Sequence, residues 1–202
     1  MDGYIIWYNK FMSLNNNTKI IAVVGLTGSG KSAVVNYIVE KGFPKVYFGG
    51  VIYEAMAEAN IPKGEANEKV FRVEIREREG KDFVVKKINE QIHNLMNAGQ
   101  HRIVADGLYS WDEYKIMKHE FPGELEVVAV VSQKHIRHKR LTTRTERPLT
   151  IEEANSRDWS EIEDIQKGGP IAIADHFIIN DDSMENMNEQ VDKILREIKF
   201  ID

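Results

Sequence analysis

The stretch Gly25-Leu26-Thr27-Gly28-Ser29-Gly30-Lys31-Ser32 constrains this chain more than any other. It has the form G-x-x-x-x-G-K-S, and its surroundings suit that form. A short β-branched run, Ile20 to Val24, precedes it, and Lys31 to Lys41 follows with Val34, Val35, Ile38 and Val39 on one helical face. Strand, glycine loop and helix in that order make a cradle for phosphate. Glycines let the backbone curl until several N–H groups face one anion, and the helix start adds the positive end of its dipole. On this reading Gly25, Thr27, Gly28, Ser29, Gly30, Lys31, Ser32 and Ala33 hold the phosphates of a nucleotide. Lys31 reaches the β- and γ-phosphates and Ser32 ligates Mg²⁺.

The rest of the chain alternates between strand and helix patterns. Strands are predicted at Lys45–Phe48, closed by Gly49-Gly50, and at Arg102–Ala105, Leu125–Val131 and His176–Ile179. Leu125–Val131 is almost wholly apolar, as in a strand covered on both faces. Helices are predicted at Val51–Ala59, across Ala66–Ala98 with an interruption near Gly80, and at Trp111–Phe121, Lys134–Leu141, Ile151–Ile165 and Met184–Ile198. Thr142–Thr150 reads as a loop and Gly168-Gly169-Pro170 as a break. Such alternation predicts a parallel sheet with helices on both faces. At 202 residues the chain suits one domain, residues 19–202, behind a peripheral extension, residues 1–18.

Asp106 is the second chemical signal. Ile103-Val104-Ala105-Asp106 delivers a carboxylate at the carboxyl end of a strand, the edge where ligands of open α/β sheets sit, and a carboxylate there can hold Mg²⁺. The third is a set of arginines, Arg137, Arg140, Arg144, Arg147 and Arg157. Phosphoryl transfer needs positive charge around the migrating group, and the planar guanidinium fork suits phosphate oxygens. Arg140 and Arg144 together are read as functional, whereas Arg137 is expected to face water. A further cluster, Arg72, Arg76 and Arg78, interleaves with Glu74, Glu77 and Glu79 in a pattern of helix-surface ion pairs. Within it Arg76 is the candidate for an acceptor phosphate, with Tyr53 and Tyr109 as walls of the acceptor pocket. The histidines lack metal-ligand spacing, and His135 and His138 are expected to be solvated.

A formal net charge of −5 argues against a broad nucleic-acid-binding face. The lack of cysteine removes disulfides, thiolate catalysis and zinc–thiolate sites, and fits a cytoplasmic setting. No apolar run has the roughly 18–20 residues that span a bilayer, and the first 18 residues do not read as a secretion signal.

The loop Gly25–Ser32, Asp106-Gly107, Arg140-Leu141 with Arg144, and Arg147-Pro148 followed by Arg157 resemble the nucleoside monophosphate kinases. Ala174-Asp175-His176-Phe177-Ile178-Ile179-Asn180 resembles dephospho-coenzyme A kinases and an adenylate-kinase-related group. The likeness runs over about residues 19–199. It implies a three-layer P-loop NTPase fold: a five-stranded parallel sheet, helices on both faces, an acceptor-binding insert at about 49–79 and a lid at about 142–160. It further implies that Arg140 and Arg144 grip ATP phosphates, that Arg147 and Arg157 close over the transferring group, and that Asn180 lies near the adenine. Lys31, Asp106, Arg147 and Arg157 become the expected catalytic set. The acceptor side departs from the family pattern. Gly49-Gly50-Val51-Ile52-Tyr53 has no acid or arginine after the second strand, and Leu108-Tyr109-Ser110 has no arginine after Asp106-Gly107. The expectation is therefore an ATP- and Mg²⁺-dependent kinase of a nucleotide or nucleotide-like small phosphorylated acceptor. The alternative is an ATP-binding switch acting on a protein partner. No N-K-x-D pattern is present, which favours ATP over GTP.

Overall fold

A computed structural model describes residues 17–62 and 64–202. The proposed extension 1–18 lies outside them except for its last two residues, as does the side chain of Arg72. The chain runs β1 (Lys19–Val24), α1 (Lys31–Glu40), β2 (Lys45–Tyr47), α2 (Phe48–Glu58), α3 (Glu65–Glu79) and α4 (Phe83–Asn97). It continues through β3 (Arg102–Asp106), α5 (Trp111–Glu120), β4 (Leu125–Val131), α6 (Lys134–Thr143), α7 (Ile151–Glu163), α8 (Gly168–Ala172), β5 (His176–Ile179) and α9 (Met184–Glu197). The five strands lie in the order β2-β3-β1-β4-β5, and every pairing is parallel.

The period-two geometry of β1 divides the core into two. Ile20, Ala22 and Val24 face one side, with α2, α3, α4 and α5 supplying Met56, Ile75, Ile88 and Met117. Ile21 and Val23 face the other, where α1 and α9 supply Val35, Ile38, Val191 and Leu195. Ile20 to Val24 are each 0% exposed, which is why the run is apolar without alternation. Because β1 sits between β3 and β4, its carboxyl end, and the loop that leaves it, occupies the middle of the ligand-bearing edge.

Two expected breaks prove to be helical. Gly49 and Gly50 do not close β2; α2 begins at Phe48 and takes both in. Their lack of a side chain serves packing, since a Cβ on Gly49 would stand 2.5 Å from the Tyr47 ring. Gly168-Gly169-Pro170 likewise opens the short α8. Proline is tolerated in a first helical turn, where its missing N–H would have no intrahelical partner, and Gly169 leaves room for the Trp111 ring at 2.7 Å from its would-be Cβ. Ser110 and Thr150 start α5 and α7 with reciprocal capping boxes to Glu113 and Glu153. Among the described residues no helix is long and apolar enough to cross a membrane.

Candidate functional site at the phosphate loop

The loop between β1 and α1 holds its curled shape through left-handed glycines and a strut from the far side of the sheet. Gly28 and Gly30 have φ of 84° and 98°. The Asn180 amide, just past β5, donates to the Ser29 carbonyl at 2.8 Å and is buried. A Cβ on Gly30 would come within 2.1 Å of that same amide nitrogen, so only glycine lets the strut reach the loop. Asn180 is thus a support beneath the phosphate loop. Its own N–H donates to the Val131 carbonyl at 2.8 Å, and its carbonyl accepts Arg140 Nη2 at 2.9 Å. Arg140 Nη1 also reaches Ser132 Oγ at 3.4 Å. Arg140 is therefore gathered with the ends of β4 and β5.

Lys31 folds over the loop, its Nζ donating to the Leu26 carbonyl at 3.2 Å. Burial lowers its pKa to about 8; Lys167 pushes the same way, and Glu161 and Asp106 oppose. Asp106 stands at the end of β3, in register with Val23 of β1. Burial raises its carboxyl above the ordinary value, against the pull of Lys45 and Lys31.

The segment after β4 contributes a set of buried charges that sequence reading passed over. The Glu161 carboxylate, on α7, accepts the Thr27 N–H at 2.9 Å through Oε2 and the Thr27 hydroxyl at 2.5 Å through Oε1. Oε1 also meets Lys167 Nζ at 2.8 Å and Arg157 Nε at 3.5 Å. Glu161 and Lys167 are each 1% exposed. Burial pushes the Glu161 carboxyl up, but Lys167 and the Thr27 bonds outweigh it and hold the group below the usual glutamate range.

Arg137 corrects an expectation. It does not face water: it is buried, and its guanidinium forks onto Asp158 at 2.7 and 2.9 Å. Its Nη1 also donates to the Thr27 carbonyl at 3.0 Å. His138, expected to be solvated, is buried against the same carboxylate, with Nε2 2.9 Å from Asp158 Oδ2. A buried fork of this kind needs a partner from another element, here Asp158 in the middle of α7, and spacing within α6 cannot disclose it. Arg144 and Arg147 stay on the exposed connection, Arg144 Nε donating to the Arg147 carbonyl at 2.6 Å. Arg147 takes a left-handed φ of 50°.

On the other flank, Tyr109 follows the end of β3. Its N–H donates to Glu113 Oε2 at 2.9 Å, and Lys167 Nζ lies 4.8 Å from its ring centroid. Burial raises the Glu113 carboxyl; the Tyr109 bond and the Arg76 charge oppose that. Tyr53 packs at the margin of the core on the same face of the sheet. A separate open groove between α6 and α7, about 820 Å³ and lined by Lys134, His138, Lys139 and Asn155 among others, contains no residue of the phosphate loop.

The depressed Lys31 pKa has a measurable consequence for any anionic ligand. Phosphate next to the ammonium favours its charged form, so binding raises the pKa from about 8. Below that value Lys31 is protonated both free and bound, and affinity should not vary with pH through this group. Above it, binding takes up a proton, and ATP affinity should fall by about tenfold per pH unit until the pKa of the bound state is reached. Calorimetry between pH 7 and 9.5 in buffers of differing ionisation enthalpy would record both the loss and the proton uptake. A flat profile would mean that Lys31 does not meet the phosphates.

Comparison with known proteins bears on the family and the fold. The family described as an AAA domain matches residues 21–177. Among solved structures, shikimate kinase from Bacteroides thetaiotaomicron has a TM-score of 0.57 at 11% identity, over 90% of this chain and 98% of that one. Dephospho-CoA kinase from Campylobacter jejuni has a TM-score of 0.52 at 18% identity, over 90% and 97%. At such identities the likeness concerns the fold, which is that of the P-loop kinases. A UPF0200 protein of Thermococcus onnurineus is 32% identical over 182 residues, 89% of this chain and 97% of that protein. Another, of Sulfurisphaera tokodaii, is 33% identical over 185 residues, with 89% and 97% covered. Identity of that order along almost the whole of each relative is kinship as well as shared architecture, and the chain belongs to the UPF0200 family, on an AAA domain of the P-loop kinase fold.

Proposed function

We propose that this protein transfers the γ-phosphoryl group of ATP to a nucleotide or nucleotide-like small molecule. The observation that carries the reading is a convergence: cations from outside the phosphate loop, Lys167 and Arg157, meet a carboxylate that is bound to the loop at Thr27. A loop that only binds nucleotide needs its own N–H groups and lysine. Transfer needs further positive charge around the migrating group, brought from a second element. Segment 142–160 is, on this proposal, the lid, with Arg147 and Arg157 acting in the transfer and Arg140 and Arg144 on the ATP side. Segment 49–79 is the acceptor insert, with Arg76, Tyr53 and Tyr109 on the acceptor side.

The residues at the loop also fit Mg²⁺. Ser32 is exposed at the start of α1, and Asp106 ends the neighbouring strand. One hydroxyl and one carboxylate suit an ion that keeps several waters and takes phosphate oxygens as its other ligands. When bound, the metal would neutralise charge on the β- and γ-phosphates. In the transfer itself an acceptor oxygen attacks the γ-phosphorus in line, the bond to the bridging oxygen breaks, and ADP leaves. A phosphate acceptor is already an anion and needs no base.

The test is a panel of nucleoside monophosphates and dephospho-coenzyme A, each supplied with ATP and Mg²⁺ while ADP is measured. One acceptor is expected to stimulate ADP formation well above the acceptor-free rate. Slow hydrolysis unaffected by every acceptor would overturn the kinase and favour an ATP-driven switch that acts on a protein.

A further inference from the structure

Four donors surround the Glu161 carboxylate: the Thr27 N–H and hydroxyl, the Lys167 ammonium and, at longer range, Arg157 Nε. Three of them share the single oxygen Oε1. Two belong to the phosphate loop and two to the segment after β4. Backbone N–H, hydroxyl, lysine and arginine around one oxyanion form a donor set for a phosphoryl group. We propose that this cage is the seat of the γ-phosphoryl group of a nucleotide, with Lys167 as its second lysine beside Lys31, and that the Glu161 carboxylate fills it when no nucleotide is bound. The inference rests on the nucleotide-binding reading above and assigns a residue and a mechanism of occupancy to it.

A structural ion pair explains the same contacts less well. Burying a lysine and a glutamate together is costly, and well-packed apolar residues commonly serve a fold as well or better. Here the pair reaches 134 residues back along the chain to occupy a phosphate-loop N–H. Lys167 is also aimed: it is 1% exposed and lies over the Tyr109 ring, at 4.8 Å from the centroid, which fixes its stem on the flank beyond β3. Burial pushes its ammonium below the usual lysine range and Glu161 is the main counterweight. An anion that replaced the carboxylate would meet a cation already stripped of water.

The cage makes opposite predictions for its two charged members. A γ-phosphate must evict Glu161, so Glu161→Gln, which removes the competing charge, should tighten MgATP. Lys167→Met removes a phosphate contact and should weaken it. ADP lacks the γ-phosphoryl group, and its affinity should move little in either case. The measurement is calorimetric dissociation constants for MgATP and MgADP in the wild type, Lys167→Met, Lys167→Arg and Glu161→Gln, with melting curves to check folding. The ratio of ADP to ATP dissociation constants is expected to fall about tenfold or more in Lys167→Met, to be largely kept in Lys167→Arg, and to rise in Glu161→Gln. A merely structural pair would shift ATP and ADP alike, or both variants in the same direction, and either result overturns the cage while leaving nucleotide binding intact. If Lys167→Met does not fold, Glu161→Gln decides alone: an unchanged or lower ratio overturns the proposal. A wild type that binds neither nucleotide overturns the nucleotide reading and the cage together.

Discussion

Lys31→Ala is expected to abolish turnover and to weaken MgATP binding by roughly 10–100-fold, the range set by one charged hydrogen bond to phosphate. The Lys31 ammonium lies over the loop, held at the Leu26 carbonyl, with Glu161, Asp106, Lys167 and Arg157 all close enough to move its pKa. An alanine removes the cation and leaves the curl of the loop, because the strut from Asn180 and the left-handed glycines do not involve the Lys31 side chain. The fold should survive for the same reason, and relief of a desolvated charge should offset lost packing. Calorimetry and a melting curve on the same sample test the claim. Unchanged ATP affinity in a folded variant would sink the phosphate-loop reading.

Arg157→Ala should lower kcat and kcat/KM together, by about 10²-fold or more, with a small change in ATP affinity. Loss in both parameters marks an interaction made in the transition state. An arginine in such a position is worth ~10³–10⁵ in phosphoryl-transfer systems where it has been removed or supplied. A smaller figure is expected here because Lys31 and Lys167 share the charge. Arg157 Nε stands 3.5 Å from Glu161 Oε1 and its side chain is 43% exposed, so water screens most of its electrostatic effect. On the proposed role of segment 142–160 as a lid, exclusion of that water would strengthen it. The comparison needs the acceptor identified by the panel, then steady-state kinetics beside ATP titrations. Normal turnover would remove Arg157 from the transfer step. A loss of ATP affinity as large as the loss of rate would make it a ground-state contact.

The scaffold was legible because its signals are local. Leu125–Val131 and His176–Ile179 appear as strands at the residues predicted. The first is buried along most of its length and carries its apolar character almost without interruption. The second, an edge strand that leaves Phe177 and Ile179 half exposed, is marked by its short apolar run. Lys31, Ser32 and Asp106 were legible because one motif and one strand end place them. The charges around Thr27 were not, because each pairing joins distant parts of the chain: Arg137 to Asp158 across 21 residues, Thr27 to Glu161 across 134. Arg157 and Glu161 do stand one helical turn apart, a spacing that reads as surface pairing unless the burial of Glu161 is known. Lys167 precedes Gly168-Gly169-Pro170, and a lysine before a predicted break looks solvated. Its burial comes from partners elsewhere in the chain, the Tyr109 ring after β3 and Glu161 of α7.

The strand beneath the loop has a consequence for how this domain opens. Ile20 to Val24 have no exposed surface, and β1 is bonded on both edges, to β3 and to β4. Hydrogen exchange at such amides requires the sheet to come apart, so their protection measures the stability of the whole domain. The phosphate loop leaves the end of that strand, and segment 142–167 is joined to the loop through side chains, Glu161 on Thr27 and Arg137 of α6 on Thr27 and Asp158, so exchange there need not wait for the sheet to part. A nucleotide that ties them down would slow exchange there first, while β1 goes on reporting global unfolding.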